Sequence, residues 1–497
     1  MRDTRQDAVW VGIDVGTQSA RVLAVDAAGA VVGEARAPLH GNRDGDRHEQ
    51  DPRQWWAAVA TACRAALRTV PAHWVRGVAV DATSGTILLA DAHGTPLTPG
   101  IMYDDRRATA QAARADEVGA RVWDELGYRR MRAPWALPKL LWLLERDPRA
   151  RSGSALLLHQ SDLITWRLTG RRTATDASHA LKTGYHLIEE RWPREVMADL
   201  GVPERLLPDV VRPGTVLGEV CASASEHTGL PRGVPVIAGM TDGCAAQLGA
   251  GALAPGAWNS VLGTTLVLKG VTPRLLRDPG GVVYSHRSPT GDWLPGGASS
   301  TGAGALSHAL PGRDLDDLSA RAAERGATAT GAYPLVGRGE RFPFSAPDAE
   351  GFLLDTPVDE VDHYAALLQG VGYIERLCFD YLDLLGAPTN GPLSLTGGAV
   401  RSRYWCQLRA DILGRRVVVP ANAEPALGMA LLAASQHRDP AEAAADMVRV
   451  RAAIDPRDDP GETARLREGY LRLVDEVRDR GWLAPEVAKH AHERCAS

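Results

Sequence analysis

The sequence predicts an α/β protein of two similar-sized domains. Its main basis is one pattern, apolar strand, Gly-Thr turn and apolar strand, which occurs as VWVGIDVGTQSARVLAVD at 9–26 and as WNSVLGTTLVLKG at 258–270. A feature that recurs once at half the chain length indicates internal duplication, and the period is far too long for a solenoid. The 497 residues suffice for several domains. We therefore expect an N-terminal domain over 1–244 and a C-terminal domain over 245–497.

The individual elements follow from apolar spacing and from turn residues. Three short apolar runs from Ala8 onward, separated by Gly and Asp, predict an antiparallel meander. The stretch 53–69 has the apolar spacing of a helix, with His48 and Glu49 as entry residues before Pro52. Further along, the spacing predicts two strands around the polar turn 81–86, mostly helix over 107–192 and a charged helical tail over 436–497.

Composition excludes several classes of function. The net charge is −5 and no dense basic block occurs, so we expect neither nucleic acid nor a membrane surface as partner. The six cysteines form no CxxC pair, which argues against a zinc site or a disulfide framework and favours a reducing compartment. The polar N-terminus and the lack of a long apolar run predict a cytoplasmic protein.

Lysine is rare: it occurs only at positions 139, 182, 269 and 489. Any phosphate would therefore have to be held by other donors. The sequence contains none of the patterns GxxxxGK[ST], GxGxxG, HExxH or GxSxG, so a P-loop and a Rossmann site are not predicted.

The segment Asp14–Arg21 is a candidate phosphate site. A Gly-Thr turn between strands presents successive backbone N–H groups to an anion, and the missing Cβ of Gly16 allows close approach. The hydroxyls of Thr17 and Ser19 add donors, while Asp14 suits Mg²⁺ bound through water. One copy alone is better explained as an ordinary hairpin. The second copy, at Gly263 and Thr264, favours a nucleotide-binding role.

The segment VIAGMTDGCAAQLGAG at 236–251 places Asp242 after an apolar strand. Thr241 or Asp242 is a typical N-cap for a helix through Ala245–Leu248, and an Asp at such a position needs no other role. The alternative is a carboxylate that serves as general base for a hydroxyl nucleophile. From the residues alone the two interpretations are about even.

Three further segments carry weaker signals, each with a plain structural alternative. In LSLTGGAVRSRYWCQLRADILG at 393–414, a Gly-Gly between strand and helix lets a flat ring lie against the backbone, although a simple βα turn explains it too. DATSGT at 81–86 offers small hydroxyls suited to a polyol, or merely a hydrogen-bonded turn. The Tyr103–Arg107 segment, YDDRR, is a candidate sugar-facing edge or a solvated charged face.

Taken together, these segments resemble the FGGY family of carbohydrate kinases, in the actin/Hsp70/sugar-kinase superfamily. Six motifs match in order along nearly the whole chain, in the sequences GIDVGTQSARVLAVD, HEQDPRQWW, YDDRR, GMTDGCAAQLGAG, SVLGTTLVLKG and TGGAVRSRYWCQLRADILGRRV. The resemblance implies two duplicated ribonuclease H-like domains that bind ATP and sugar in the cleft between them.

The resemblance also implies residue roles. Asp242 falls on the catalytic base and Asp14 on the carboxylate associated with Mg²⁺. The implied sugar contacts are Asp14, Thr83, Ser84, Gly85, Tyr103, Asp105 and Asp242. The implied ATP contacts are Gly16, Thr17, Ser19, Gly263, Thr264, Gly397, Gly398 and Ser402. The sequence departs from the family at Tyr103, where relatives have Trp, and at Ser402, where many have Asn.

The resemblance further implies a pentulose kinase that uses ATP and Mg²⁺ to phosphorylate a small ketose at its terminal hydroxyl. The Thr-Ser-Gly at 83–85, in place of the Met-His-Gly of well-known D-xylulose kinases, favours D-ribulose, with D-xylulose as the alternative. An actin- or Hsp70-like ATPase, or a sugar sensor without kinase activity, is the second alternative. The sequence leaves the oligomeric state open, a homodimer included.

Overall fold

A computed structural model describes residues 8–151 and 153–496. It confirms the predicted α/β class. The strands, in chain order, are β1 Val9–Val15, β2 Ser19–Asp26, β3 Val31–Pro38, β4 Gly41–Asp44, β5 Arg47–Gln50, β6 Val75–Ala82, β7 Ile87–Ala90, β8 Gly100–Ile101, β9 Leu156–His159, β10 Thr175–Asp176, β11 Val210–Val211, β12 Val216–Glu219, β13 Pro235–Ile237, β14 Trp258–Leu262, β15 Leu266–Gly270, β16 Tyr284–Arg287, β17 Trp293–Ala298, β18 Ala332–Tyr333, β19 Phe352–Leu353, β20 Leu393–Thr396, β21 Val417–Pro420 and β22 Val450–Ile454.

The helices lie between groups of strands along the chain. They are α1 Pro52–Leu67, α2 Thr109–Glu125, α3 Ala136–Arg146, α4 Gln160–Thr169, α5 Ala177–Ala180, α6 Arg194–Asp199, α7 Ala222–Thr228, α8 Asp242–Gly249, α9 Gly304–Ala309, α10 Leu315–Arg325, α11 Glu360–Leu384, α12 Arg403–Leu413, α13 Pro425–Ala434, α14 Pro440–Met447, α15 Pro460–Asp479 and α16 Pro485–Ala496. Short 3-10 turns at Leu181–Thr183 and Gly398–Arg401 matter for the site described below.

The two large sheets repeat one topology. In the first, the order is β12-β13-β6-β1-β2-β3, and β1 pairs antiparallel with β2 and parallel with β6. In the second, the order is β16-β17-β15-β14-β20-β21-β22, and β14 pairs antiparallel with β15 and parallel with β20. In both sheets the next strand outward is parallel and the one beyond it antiparallel. The predicted duplication is therefore confirmed at the level of strand pairing.

The chain separates into two compact units that are not simple halves. The first unit comprises the chain as far as Leu253 together with His286–Leu294 and Asn422–Arg449, and the remainder forms the second unit. The predicted boundary between residues 244 and 245 falls inside α8, which is continuous. Segments that are far apart in the sequence thus belong to the same unit.

Helix α13 explains why the segment Asn422–Arg449 belongs to the first unit. A Cβ on Gly12 of β1 would lie 1.7 Å from the carbonyl oxygen of Ala426, so only glycine permits this approach of helix to strand. All residues of α13 from Ala426 onward are buried, and the helix packs with Leu23 and Val25 of β2 in one apolar cluster. A helix that is apolar all round is one that is covered on every side.

Most of the predicted elements are present, and two local predictions are wrong. The N-terminal meander and the helix near 53–69 are confirmed as β1–β3 and α1. His48 and Glu49 are not helix-entry residues but lie in β5; the helix begins at Pro52, because the Asp51 side chain accepts the Arg53 N–H as N-cap. The tail over 436–497 is not wholly helical, since β22 pairs with β21 there.

The cysteines are all free, as expected, and burial raises the pKa of Cys63 to about 12. Within the residues that the structure describes, no helix has both the length and the apolar character to cross a bilayer.

Candidate active site

Three aspartates are brought together at one edge of the first sheet. Asp14 lies opposite Asp81 in the parallel pair β1–β6, at the carboxyl ends of both strands. The segment that leads to Asp242 runs alongside β6, where Thr241 bridges to Ala82. Carboxyl ends of adjacent parallel strands are a usual place for ligand sites in α/β folds.

The close approach of this segment requires glycine. A Cβ on Gly239 would lie 1.9 Å from the carbonyl oxygen of Val80. The glycine of the GMTDG sequence therefore serves the backbone contact that carries the chain to Asp242. The close approach to the Val80 carbonyl therefore explains why the motif has glycine at position 239.

Asp81 and Asp14 form a carboxyl pair of unequal character. Asp81 is fully buried, and burial, followed by the charges of Asp14 and Asp242, raises its pKa well above the usual range. Burial also raises the pKa of Asp14 to about 6; the hydrogen bond with Asp81 opposes this rise and the charge of Asp242 adds to it. These directions correspond to a protonated Asp81 that donates to the Asp14 carboxylate.

The half-buried Asp242 is the first residue of α8, and the N-cap position belongs to Thr241. One Asp242 oxygen, Oδ1, accepts the N–H of Gly243 at 2.8 Å. Thr241 is held in turn by Ser178, whose Oγ lies 3.1 Å from Thr241 Oγ1 and accepts the Thr241 N–H at 3.2 Å. The side chain that accepts a first-turn N–H is thus that of Asp242, since the Thr241 side chain makes no cap hydrogen bond. The bond to Gly243 uses one carboxylate oxygen of Asp242 and does not decide between the two sequence-based alternatives.

Asp14 also fits a divalent cation. It is a half-buried carboxylate whose surroundings contain the further negative charges of Asp242 and Glu424, against the single positive charge of Arg21. Arg21 is itself ion-paired with Glu424. A hard cation with retained waters would compensate this excess of negative charge. The predicted Mg²⁺ site at Asp14 thus matches the residues present.

Three glycines in the predicted phosphate and adenosine segments have no need to be glycine within the fold. A Cβ on Gly16 would make only ordinary contacts, at 3.4 Å and beyond, and a Cβ on Gly263 or Gly398 would meet nothing within 4 Å. None of the three has a positive φ. Neither crowding nor a positive φ therefore explains glycine at these positions, and each leaves the backbone open to close approach.

Other glycines of the same segments are structural. Gly397 has φ +86 and a Cβ there would lie 2.5 Å from the carbonyl oxygen of Leu262, while Gly85 has φ +98. Gly302, which the sequence analysis did not single out, packs on the second Gly-Thr turn: a Cβ there would lie 2.5 Å from the Thr264 carbonyl oxygen. The neighbouring N–H groups of Ala303 and Gly304 donate to the carbonyls of that turn at 2.9 and 3.1 Å.

The predicted sugar contacts divide into engaged and unengaged side chains. Thr83 Oγ1 donates to Gln160 Oε1 at 2.7 Å and lies 2.5 Å from Thr86 Oγ1. Asp105 is fully buried, with Oδ2 accepting the His48 N–H at 2.7 Å and both carboxylate oxygens paired with Arg107. The structure thus gives the Thr83 and Asp105 side chains internal partners.

Ser84 and Tyr103 differ from them. Ser84 Oγ is buried and has no hydrogen-bond partner among the described residues. Tyr103 is 40% exposed, and its side chain lies near Thr17 of the first phosphate turn. In the second unit, Ser402 serves as N-cap of α12, accepting the Trp405 N–H at 3.2 Å.

Two lysines that the sequence analysis passed over hold the 83–85 turn. Lys139 of α3 donates to the carbonyl of Gly85, and Lys182 donates to that of Ser84 at 3.2 Å. The signal that could have found them is the rarity of lysine in this chain.

Comparison with known proteins gives a consistent result. The FGGY family of carbohydrate kinases matches the chain twice, with its N-terminal domain over residues 9–249 and its C-terminal domain over residues 258–437. The xylulose kinase of Streptomyces rubiginosus is 34% identical over 85% of this chain and 87% of its own length, and that of Streptomyces coelicolor is 35% identical with the same coverage. The crystal structure of xylulose kinase from Rhodospirillum rubrum superimposes with a TM-score of 0.83 at 26% identity, over 95% of this chain and 99% of that one.

Proposed function

The chain belongs to the FGGY family of carbohydrate kinases, and from this premise we propose that it transfers the γ-phosphoryl group of ATP to the terminal hydroxyl of D-xylulose. Carbohydrate kinase activity follows from the family, whose members use ATP and, in general, Mg²⁺. The identity of the sugar is our proposal. D-Xylulose replaces D-ribulose, which the 83–85 turn favoured, because the relatives that cover most of the chain at 34% and 35% identity are xylulose kinases.

One observation carries the proposed chemistry. Asp242 stands as a half-buried carboxylate beside the Asp14–Asp81 pair, at the first residue of α8. The equivalent turn of the second repeat has apolar Val261 in the position of Asp14. Acid–base chemistry is therefore assigned to the first unit, and the second unit retains only the glycine-rich turns.

In this mechanism Asp242 accepts the proton of the sugar O5 hydroxyl as that oxygen attacks the γ-phosphorus. The new O5–P bond forms as the bond from the γ-phosphorus to the ADP oxygen breaks. The proposed donors to developing charge on phosphate oxygens are the backbone N–H groups of Thr17 and Thr264. The N–H groups of Gly16 and Gly263 donate within their own turns, to the carbonyls of Ser19 and Thr265 at 3.1 Å each. Catalysis of this kind rests mainly on positioning and electrostatic stabilisation.

Mg²⁺ held near Asp14, through water, supplies charge neutralisation and orientation of phosphate oxygens when bound. Asp81, protonated, keeps the Asp14 carboxylate in place by donating to it. Ser84 and Tyr103 are the proposed sugar contacts with hydroxyls close to the turn, and the Gly397–Gly398 turn is the proposed adenosine contact.

The test is an ADP-release assay with D-xylulose, D-ribulose, glycerol and D-fructose, each at saturating Mg-ATP. We expect the highest kcat/KM with D-xylulose and a phosphorylated product in one-to-one ratio with ADP. Highest activity with D-ribulose would restore the sugar that the 83–85 turn favours. Glycerol or D-fructose as best acceptor would refute the pentulose assignment, and sugar-independent ATP hydrolysis would favour an ATPase of the actin or Hsp70 type.

A further inference from the structure

Lys139 connects the two segments in which the proposed sugar contacts lie. Its Nζ donates to the carbonyl oxygen of Gly85 at 2.6 Å and to that of Met102 at 2.9 Å. Gly85 directly follows Ser84, and Met102 directly precedes Tyr103. One ammonium group therefore fixes the backbone next to both contact residues.

The two segments are distant in sequence and neither carbonyl is used in a strand ladder. The 83–85 turn follows β6, and Met102 follows β8, which belongs to a different sheet. A donor with two or three N–H groups and a long stem is required to reach both carbonyls at once. Lysine meets this requirement, whereas an apolar residue would leave the Gly85 carbonyl without this bond and would remove the link to Met102, whose carbonyl would keep only the Asp105 N–H at 3.1 Å.

The position of Lys139 is costly for a charged side chain. It is fully buried on α3 between Pro138 and Leu140, and burial lowers its pKa to about 7. The carboxylates of Asp105 and Asp104 favour the ammonium form, and the charges of Lys182 and Arg107 oppose it. A buried amine with a pKa near 7 stabilises a fold less than a well-packed apolar side chain of the same size would.

We propose that Lys139 is a positioning residue for the sugar: it sets the distance between the Ser84–Gly85 turn and the Met102–Tyr103 segment, and thereby the affinity for the ketose. The inference rests on the proposed function. It differs from a general structural role because it predicts an effect on the sugar and none on the nucleotide, whose proposed contacts at Gly16, Gly263 and Gly398 make no bond to Lys139.

The experiment compares Lys139→Met with the matched control Lys489→Met. Lys489 is an exposed lysine on α16, where its nearest charged partner is Glu493 at 3.6 Å. For Lys139→Met we expect KM for D-xylulose to rise roughly tenfold or more, since the Gly85 carbonyl loses its donor and the bond that links the two segments is removed. KM for ATP stays within about twofold of the wild type. In Lys489→Met both constants remain at the wild-type values.

A merely structural role would lower the melting temperature and raise both constants together, or change neither. If the wild type phosphorylates D-xylulose and Lys139→Met gives either of these results, the positioning role of Lys139 is refuted and the proposed function stands. A wild type that phosphorylates no pentulose overturns the proposed function instead, and with it the premise of the inference. The wild-type sugar panel thus separates the two failures.

A second measurement decides the matter if Lys139→Met does not fold. Because the chain has four lysines, selective ¹³Cε labelling of lysine gives a simple spectrum that Lys→Arg variants at 182, 269 and 489 assign by elimination. We expect the Lys139 signal of the wild type to shift on addition of D-xylulose and to stay unchanged on addition of Mg-ADP. A Lys139 signal that D-xylulose leaves unchanged overturns the proposal.

Discussion

At the scale of single residues, Asp242 is expected to separate phosphoryl transfer from nucleotide binding. Asp242→Asn keeps the size of the side chain and its bond to Gly243 but removes the proton acceptor. General-base catalysis contributes roughly 10²–10⁴-fold, so kcat should fall by that factor while the dissociation constant for ATP changes less than about twofold. Steady-state kinetics and calorimetric titration with an ATP analogue measure the two quantities. The control is Asp458→Asn, at an exposed carboxylate of the second unit, and near-normal turnover in Asp242→Asn would refute its role.

Asp14 is expected to reduce the stability of the fold at neutral pH, where its half-buried carboxyl group is ionised. Its pKa is raised from 3.8 to about 6, so the folded state binds more protons than the unfolded state between these values. Stability from this group is therefore highest below pH 4 and is lost as the pH rises through 6. At pH 7.5 without Mg²⁺, Asp14→Asn should be more stable than the wild type by up to about 3 kcal/mol, at about 1.4 kcal/mol per pKa unit.

Thermal unfolding of both proteins at pH 4 and pH 7.5 checks this prediction. The difference in melting temperature should be large at pH 7.5 and small at pH 4, and added Mg²⁺ should reduce it at pH 7.5 because the cation binds the charged form. Equal melting temperatures at pH 7.5 would contradict the raised pKa. The variant should also have lost nearly all kinase activity.

The residue types of the candidate site could be predicted from the sequence, but their hydrogen-bond partners within the fold could not. Asp14, Asp242 and the Gly-Thr turns are recognisable in the sequence because the chemistry proposed for them would require these residue types at these spacings. Thr83 and Asp105 look equally suited to a sugar in the sequence, yet each finds an internal partner at a residue far along the chain or across a turn, Gln160 and Arg107. Such pairings depend on tertiary contacts, so a local sequence pattern does not predict them.

At the scale of elements, the phosphate turns can be tested through their glycines. Gly263→Ala adds a methyl group where nothing lies within 4 Å, so the melting temperature should be unchanged or slightly raised. KM for ATP should nevertheless rise, by roughly tenfold or more, because the methyl group occupies the space of the approaching ligand. Gly337→Ala is the matched control, an exposed glycine with equally open space, and it should leave both quantities unchanged.

Gly12→Ala gives the opposite result and completes the comparison. A Cβ there would lie 1.7 Å from the Ala426 carbonyl oxygen, so the strand and α13 must separate and the melting temperature must fall. If Gly263→Ala also lowered the melting temperature strongly, or left KM for ATP at the Gly337→Ala value, the turn would be structural and not a phosphate contact.

The repeated element also explains why the two halves look alike in sequence only in part. The Gly-Thr turn recurs at the same place in both repeats, directly after β1 and β14. The carboxylates do not recur: Val261 and Thr396 pair in the second sheet at the register where Asp14 and Asp81 pair in the first. By the same register, Gly398 occupies the position of Thr83, so the proposed adenosine turn and the proposed sugar turn are equivalent places in the repeat. A pattern search finds the shared turn and misses this divergence.

At the scale of the whole molecule, each compact unit is built from segments that are not consecutive in the sequence. The recurrence at half length predicts two repeats correctly, but it places the division at the end of the first repeat. Helix α13 lies beyond the second repeat's Gly-Gly turn and yet covers the first sheet. Its uniformly apolar sequence indicates only that it is buried, because an apolar helix carries no information about which surface covers it.

This arrangement predicts that residues 1–253 do not fold alone and that residues 422–449 restore folding even without the short segment His286–Leu294, which belongs to the same unit. Without α13 and α14, Leu23 and Val25 of β2 lose their apolar cover, and the contact of Met447 with Gly29, where a Cβ would lie 1.8 Å from the Met447 carbonyl oxygen, is lost as well. The fragment 1–253 should aggregate or show no cooperative melting by circular dichroism, whereas co-expression with 422–449 should give a soluble complex with a cooperative transition. A 422–449 segment carrying Ala426→Trp, which cannot approach Gly12, is the control and should fail to rescue. Cooperative unfolding of 1–253 by itself would show that α13 only adds to a unit that is already complete.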